Sequence, residues 1–248
     1  MLKVDGVGKS YNQGGLFSKQ RQQILSNVTF ECKQGECLGI IGESGSGKST
    51  LGRLILGIER PDRGLIQFEG RNVCDRRVRI GNISAVFQNY TSSMNPFLTV
   101  EDAIMEPMQA LKKSGQDIAG KVDLLLTQVG LDATYRSKYP HELSGGEAQR
   151  VCIARAISTS PRCIVLDEAI SSLDVSVQIQ VLQLLKELKD IYKMSYVFIT
   201  HDIQAAAYIC DRVIIFRAGQ IEEIIRTERL KDVQSDYAKK LLKHLITF

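Results

Sequence analysis

Apolar positions fall along the chain in two rhythms. Short runs rich in Val, Ile, Leu and Phe predict strands at Leu2–Val7, Ile24–Glu31 and Glu36–Ile41, with glycine-containing turns between them. After Ile41 comes Gly42-Glu43-Ser44-Gly45-Ser46-Gly47-Lys48-Ser49-Thr50. Leu51, Leu54, Ile55 and Leu56 then recur at helical spacing until Gly57, with Pro61 beyond it. Strand-like runs follow at Leu65–Glu69 and Ile83–Phe87. From Val100 the rhythm turns helical, with runs at Val100–Leu111, Ile118–Val129 and Glu147–Ile157, after a loop-like stretch Gln88–Pro96. Strand and helix then alternate: Cys163–Leu166, Val175–Ile191, Tyr196–Thr200, Ile203–Ile209 and Arg212–Phe216. A last amphipathic helix is expected over Val233–Leu245.

This alternation predicts an α/β fold with a parallel sheet and crossover helices. The 248 residues fit one large domain. Its expected division is an α/β core of residues 1–88 and 161–232, a helical insertion of 89–160 and a C-terminal helix of 233–248. No internal repeat is visible. Lys plus Arg number 32 and Asp plus Glu 28, a net charge of +4 with both signs spread along the chain. That balance excludes a dedicated basic nucleic-acid binder but leaves room for a local phosphate site. No apolar run approaches the ~18 residues of a membrane span. Met1-Leu2-Lys3-Val4-Asp5 does not open a secretory signal, so a cytoplasmic chain is expected unless a partner holds it at a membrane. Of Cys32, Cys37, Cys74, Cys152, Cys163 and Cys210, no two form C-x-x-C, and Cys152, Cys163 and Cys210 lie in apolar contexts. They read as small buried hydrophobes, with neither disulfide nor zinc expected.

Gly42–Ser49 fits G-x-x-x-x-G-K-[ST] between a strand and a helix. Gly42, Gly45 and Gly47 let successive backbone N–H groups of a loop shared with Glu43, Ser44 and Ser46 turn toward one anion. The helix start adds its positive end. Lys48 brings a cation to the β- and γ-phosphates, Ser49 a hydroxyl to Mg²⁺, and Thr50 a hydrogen bond to the phosphates. An isolated apolar run ending in Asp167-Glu168 would read as a plain strand end. Downstream of a phosphate loop, Asp167 is placed to hold the Mg²⁺ shell and Glu168 to polarise the attacking water. Leu143-Ser144-Gly145-Gly146-Glu147 opens a second anion-receptive helix start. Two phosphate cradles with one lysine loop are most simply explained by two chains sharing their sites.

With these elements in place the chain resembles the ATP-binding subunit of an ABC transporter. The family's motifs stand in order at Gly42–Ser49 (Walker A), Gln88 (Q-loop), Leu143–Glu147 (signature), Cys163–Asp167 with Glu168 (Walker B), Ser171-Ser172-Leu173-Asp174 (D-loop) and His201 (H-loop). The resemblance covers essentially the whole chain. It implies a P-loop NTPase core with a parallel sheet, an N-terminal antiparallel β subdomain and a helical insertion, and it implies ATP and Mg²⁺ as ligands. It also implies that Tyr11 stacks on adenine, Gln88 reaches Mg²⁺ and the attacking water, His201 contacts the γ-phosphate, and Asp174 communicates between paired sites. Ser144, Gly145, Gly146 and Glu147 would face a partner's nucleotide. His141 and His244 are expected at the surface.

Val86–Pro96 with Thr99-Val100 and Glu106-Pro107-Met108 resembles the oligopeptide, dipeptide and nickel importers. Asp236–Leu242 resembles that group's tail without its His-Pro. The early stop and Asp167-Glu168-Ala169-Ile170 are similar to the short nickel and metallophore members, which favours a metal or metal chelate over a peptide. Glu147 departs from the commoner Gln of the signature. The implied partners are a second, non-identical ATP-binding subunit, two permeases docked on Asn89–Phe97 (Tyr90, Met94 and Phe97 in particular) and, indirectly, an extracellular solute-binding protein, with no nucleic acid. The implied place is the cytoplasmic face of the membrane. Two other classes fit the motifs less well. A soluble ABC-type ATPase of regulation or DNA maintenance usually carries tandem units, coiled coils or basic extensions, which are not seen. A P-loop kinase leaves Leu143–Glu147 unexplained.

Overall fold

The computed structural model describes residues 1–12, 21–88, 93–111 and 118–243. They group into two compact units, residues 1–79 with 195–248 and residues 80–194. Tyr90, with Asn89, Thr91 and Ser92, lies outside the described residues, as does His244.

The first unit holds an antiparallel sheet in the order β2-β1-β4-β5, made of β1 (Leu2–Asn12), β2 (Arg21–Cys32), β4 (Arg63–Phe68) and β5 (Arg71–Asn72). Val4 faces Phe30 on one side and Ile66 on the other, so the buried residues of three strands share one face. β1 outruns its expected end at Val7. Lys9, Ser10, Tyr11 and Asn12 stay paired with Leu25, Gln23, Gln22 and Arg21, because backbone pairing continues where the side chains turn polar.

β3 (Cys37–Ile41) lies between β8 (Ser195–Thr200) and β9 (Arg212–Arg217), parallel to both. All residues of β3 and β8 are buried, as continuous apolar strands covered on both faces require. β10 (Gln220–Arg226), which the periodicity does not predict, returns antiparallel to β9 through Ala218 and Gly219 at φ +46° and +78°. Two positive-φ residues make this a tight hairpin turn. Helices α1 (Lys48–Ile55) and α2 (Arg76–Arg79) belong to this unit.

In the second unit β6 (Ile83–Phe87) pairs in parallel with β7 (Cys163–Asp167). Around them run α3 (Val100–Ala110), α4 (Ile118–Gln128), α5 (Gly145–Ile157) and α6 (Val175–Tyr192). Thr99 and Asp102 close a capping box on α3. α5 starts at Gly145, two residues before the expected Glu147, because Ser144 caps it and draws both glycines into the first turn. Back in the first unit, α7 (Ile203–Ile209) follows β8, and α8 (Asp236–Leu242) starts after the Ser235 cap, later than the expected Val233.

Candidate active site

The glycine loop hangs between buried β3 and α1. Gly42 needs its bare α-carbon, since a Cβ there would come within 2.1 Å of the Phe216 carbonyl oxygen. Gly47 sits at φ +104° at the N-cap of α1, where a Cβ would meet Leu25 Cδ2 at 2.9 Å. At Gly45, φ +78°, a Cβ would find open space, so here the positive φ and not crowding favours glycine. Glu43 and Ser44 are exposed on the loop, while Ser46 and Thr50 are buried and Ser49 half-buried. Lys48 is 5% exposed, and its ammonium donates to the carbonyls of Gly42 and Glu43, each at 2.8 Å. Ser46 Oγ is buried without a partner among the described residues. No side chain caps α1, and its first turn carries no acidic group. A buried orphan hydroxyl, an uncapped helix start and a lysine parked on carbonyls suit a multiply charged phosphate.

Tyr11 lies near the end of β1. Its hydroxyl donates to Glu59, and Lys9 Nζ stands 5.4 Å from its ring centroid. His201 directly follows β8 and is exposed. Its turn is fixed on both sides: Thr200 Oγ1 accepts from the Asp202 N–H at 3.0 Å, and Asp202 Oδ1 from the Ala205 N–H at 3.0 Å. A contact missing from the motif reading involves Tyr237 on α8, whose hydroxyl accepts from the Glu43 N–H at 3.4 Å.

In the second unit Phe87 is in register with Asp167. Gln88 and Glu168 therefore leave the same end of adjacent parallel strands. Glu168 holds φ +52°, a left-handed conformation costly for a non-glycine residue and common at functional turns. Its carbonyl accepts from the Ser171 hydroxyl at 2.9 Å and the Ser171 N–H at 3.2 Å, which pins the bend. Asp174 is the N-cap residue of α6.

Ser144 caps α5 in a reciprocal box. The Glu147 N–H donates to Ser144 Oγ at 3.4 Å, and the Ser144 N–H donates to Glu147 Oε2 at 2.7 Å. The Tyr135 hydroxyl donates to Glu147 Oε1. That bond, with those from Ser144, holds the Glu147 carboxyl down at about 2. A Cβ on Gly146 would meet Val177 Cγ1 at 2.8 Å, so α5 and α6 pack closely here.

A groove of about 640 Å³ is lined by Ser84–Phe87 of β6, Ser93, Pro107, Cys152, Arg155 and Ala156. Arg155 fastens one wall, donating to the Ser93 carbonyl and to Glu106, each at 2.7 Å. Phe97 is 86% exposed, but Met94 is only 3% exposed. The expectation that Met94 presents itself to a permease is therefore corrected: its thioether fills the unit's own interior. His141 is exposed, as expected.

The ABC transporter family model matches residues 25–171, and the chain belongs to that family. It is an ATP-hydrolysing cassette that uses ATP with Mg²⁺. At 48% identity, over 100% of both chains, it is similar to the metal-staphylopine import system ATP-binding protein CntF of Staphylococcus aureus (strain NCTC 8325 / PS 47). It is 40% identical to the nickel import ATP-binding protein NikE of Escherichia coli (strain K12), over 90% of this chain and 86% of the relative. A dimeric structure of the ATP-binding cassette MJ0796 in a post-hydrolysis state, bound to ADP and Pi, superposes with a TM-score of 0.81 at 30% identity, covering 92% of this chain and 99% of that one. No helix among the described residues is long and apolar enough to cross a membrane.

Proposed function

We propose that this chain energises import of nickel, a metal chelate of the metallophore type or a peptide-type solute, with the metal reading favoured. The observation that carries the proposal is the match to a metal-staphylopine import subunit along the full length of both chains. The chain works in a head-to-tail pair with a second, non-identical ATPase. The pair is held by two permeases at the cytoplasmic face of the membrane, and an extracellular binding protein delivers the solute.

Lys48 and the N–H groups of Gly42–Thr50 hold the nucleotide phosphates, and Tyr11 holds the adenine. Ser49, Asp167 and Gln88 supply hard oxygen ligands, the donor type that Mg²⁺ prefers when phosphates complete its shell. Held there, Mg²⁺ would supply positive charge to offset that of the phosphates. Glu168 takes the proton of the attacking water, and His201 and Gln88 orient the reacting groups. Ser144, Gly145 and Gly146 close on the partner's nucleotide, with Glu147 beside them in the same helix turn. The groove along β6, with the exposed Phe97, is the surface offered to a permease.

The test is uptake by proteoliposomes carrying the chain with its permeases, partner ATPase and binding protein. Uptake of a nickel chelate coupled to ATP hydrolysis is the expected result. Coupling to dipeptides alone would overturn the metal reading, and ATP hydrolysis with no uptake of either would overturn the importer reading.

A further inference from the structure

The signature of this chain places a carboxylate, Glu147, in the first turn of a helix whose proposed task is to meet the γ-phosphate of a partner's nucleotide. An anion there suits the helix's own N-terminus but repels an incoming phosphate. The structure shows how the two demands coexist. Both carboxylate oxygens are engaged on the protein's own side: Oε2 by the Ser144 N–H at 2.7 Å and Oε1 by the Tyr135 hydroxyl.

Tyr135 is itself fixed. It belongs to a short 3₁₀ turn, Ala133–Ser137, capped by Asp132, whose Oδ1 accepts from the Thr134 N–H at 2.8 Å. The next residue, Arg136, pairs with Glu101 of α3 and, at 3.2 Å, with Asp123 of α4. Lys138 Nζ lies 3.7 Å from the Tyr135 ring centroid and holds the face of the phenol. The turn thus joins α3 and α4 to the start of α5.

We propose that Tyr135 is a positioning residue that tethers the Glu147 carboxylate away from the phosphate-facing side of α5, which makes an acidic signature workable. The phenol is a suitable tether, because its hydrogen bond to Glu147 pushes its own ionisation to higher pH and keeps the donor protonated. The proposal rests on the reading that Ser144–Gly146 meets a partner's phosphate. Without the tether, one carboxylate oxygen is released to turn toward that phosphate. An amide at position 147 has no charge to restrain.

The experiment is a double-mutant cycle on ATPase activity in the assembled transporter, with nucleotide affinity of the chain's own P-loop measured alongside. A charge-assisted hydrogen bond at this partly exposed place leads us to expect that Tyr135→Phe lowers ATPase activity about three- to tenfold. The same substitution made in a Glu147→Gln background should cost less than about twofold. ATP affinity at the chain's own P-loop should not move. An equal loss in both backgrounds makes Tyr135 merely structural and overturns the tether, as does no loss in either. Ser144→Arg is run in parallel. If it removes activity while the cycle shows no coupling, the tether alone fails. If it leaves activity intact, the shared-site reading fails and the tether with it.

Discussion

Two helices of this chain begin at glycines suited to an anion, and they begin differently. α1 starts behind Gly47 with no capping side chain, no acidic group in its first turn, a lysine as its first residue and an orphan hydroxyl at Ser46. α5 starts behind Ser144 with a complete capping box and a carboxylate at its third position. The first start leaves its donors to be claimed by a ligand. The second has already used the Glu147 N–H and the Ser144 N–H on its own side chains. An uncapped start with a cation can hold a phosphate by itself. A capped, acidic start has little to offer a free anion; on the proposed shared-site reading it would contribute when a phosphate bound elsewhere is brought against Gly145 and Gly146. The two motifs look alike as glycine loops, yet only the first leaves its donors open, and the proposal gives the second the role of a closing surface.

The largest expected effect separates chemistry from both helix starts. Glu168→Gln keeps the shape of the bend after β7 and removes its basicity, so turnover should fall about 10²- to 10⁴-fold. ATP binding by equilibrium titration should persist. Near-normal turnover of the purified complex would rule out Glu168 as the base. Next, Ser144→Arg should cut ATPase activity about 10²-fold or more, the scale for losing an oriented donor set in the transition state. ATP should still bind at Lys48. Loss of nucleotide from the chain's own P-loop would erase the distinction between the two starts. Lys48→Ala should then weaken Mg·ATP binding about ten- to a hundredfold, since a charged hydrogen bond is worth about 1.5–3 kcal/mol. Unchanged affinity would refute the binding role of α1.

A smaller effect contrasts the two serines. Ser144→Ala removes a helix cap worth about 1 kcal/mol, a fall of roughly 2–4 °C in Tm for a chain of this size. Ser46→Ala removes a buried hydroxyl with no protein partner among the described residues. It should leave the nucleotide-free Tm unchanged or slightly raised. The expected signature is a Tm loss at position 144 and an ATP-affinity loss at position 46, and the reverse pattern would invert the comparison.

The sequence makes the α1 start legible, because Gly42, Gly45, Gly47 and Lys48 are contiguous and a buried strand and helix flank them. Strands β3, β7 and β8 are equally plain, as unbroken apolar runs. What escapes the sequence has no local signature. β10 alternates poorly, since Glu222 and Glu223 interrupt its apolar face, and a register shift accommodates them. The polar end of β1 pairs through its backbone. Met94 sits in a turn-like Met-Asn-Pro context, yet the helices around it supply an interior. The left-handed bend at Glu168 is not encoded by its residue type. Tyr135 stands 12 positions before Glu147 in a turn without a motif, so only folding brings the phenol to the carboxylate.

The smallest effect concerns pH and isolates the capped start. Glu147 ionises at about 2 when folded against an ordinary value of 4.5. The hydrogen bond from Tyr135 is the largest cause, followed by those from Ser144. Between those two values the unfolded chain binds a proton that the folded chain refuses, so stability rises with pH across that window. The contribution is complete above about pH 4.5 and is lost as pH falls toward 2. Other carboxylates titrate in the same range, so the quantity to measure is the difference in Tm between wild type and Glu147→Gln from pH 5.5 down to 2.5. The difference should shrink as the solution is acidified. In a Tyr135→Phe background the folded ionisation moves back up toward its ordinary value, and the shrinkage should start from a smaller difference. A Tm difference independent of pH in both backgrounds would mean that the carboxylate is not held by this box, and the contrast between the two helix starts would then rest on Lys48 and Ser46 alone.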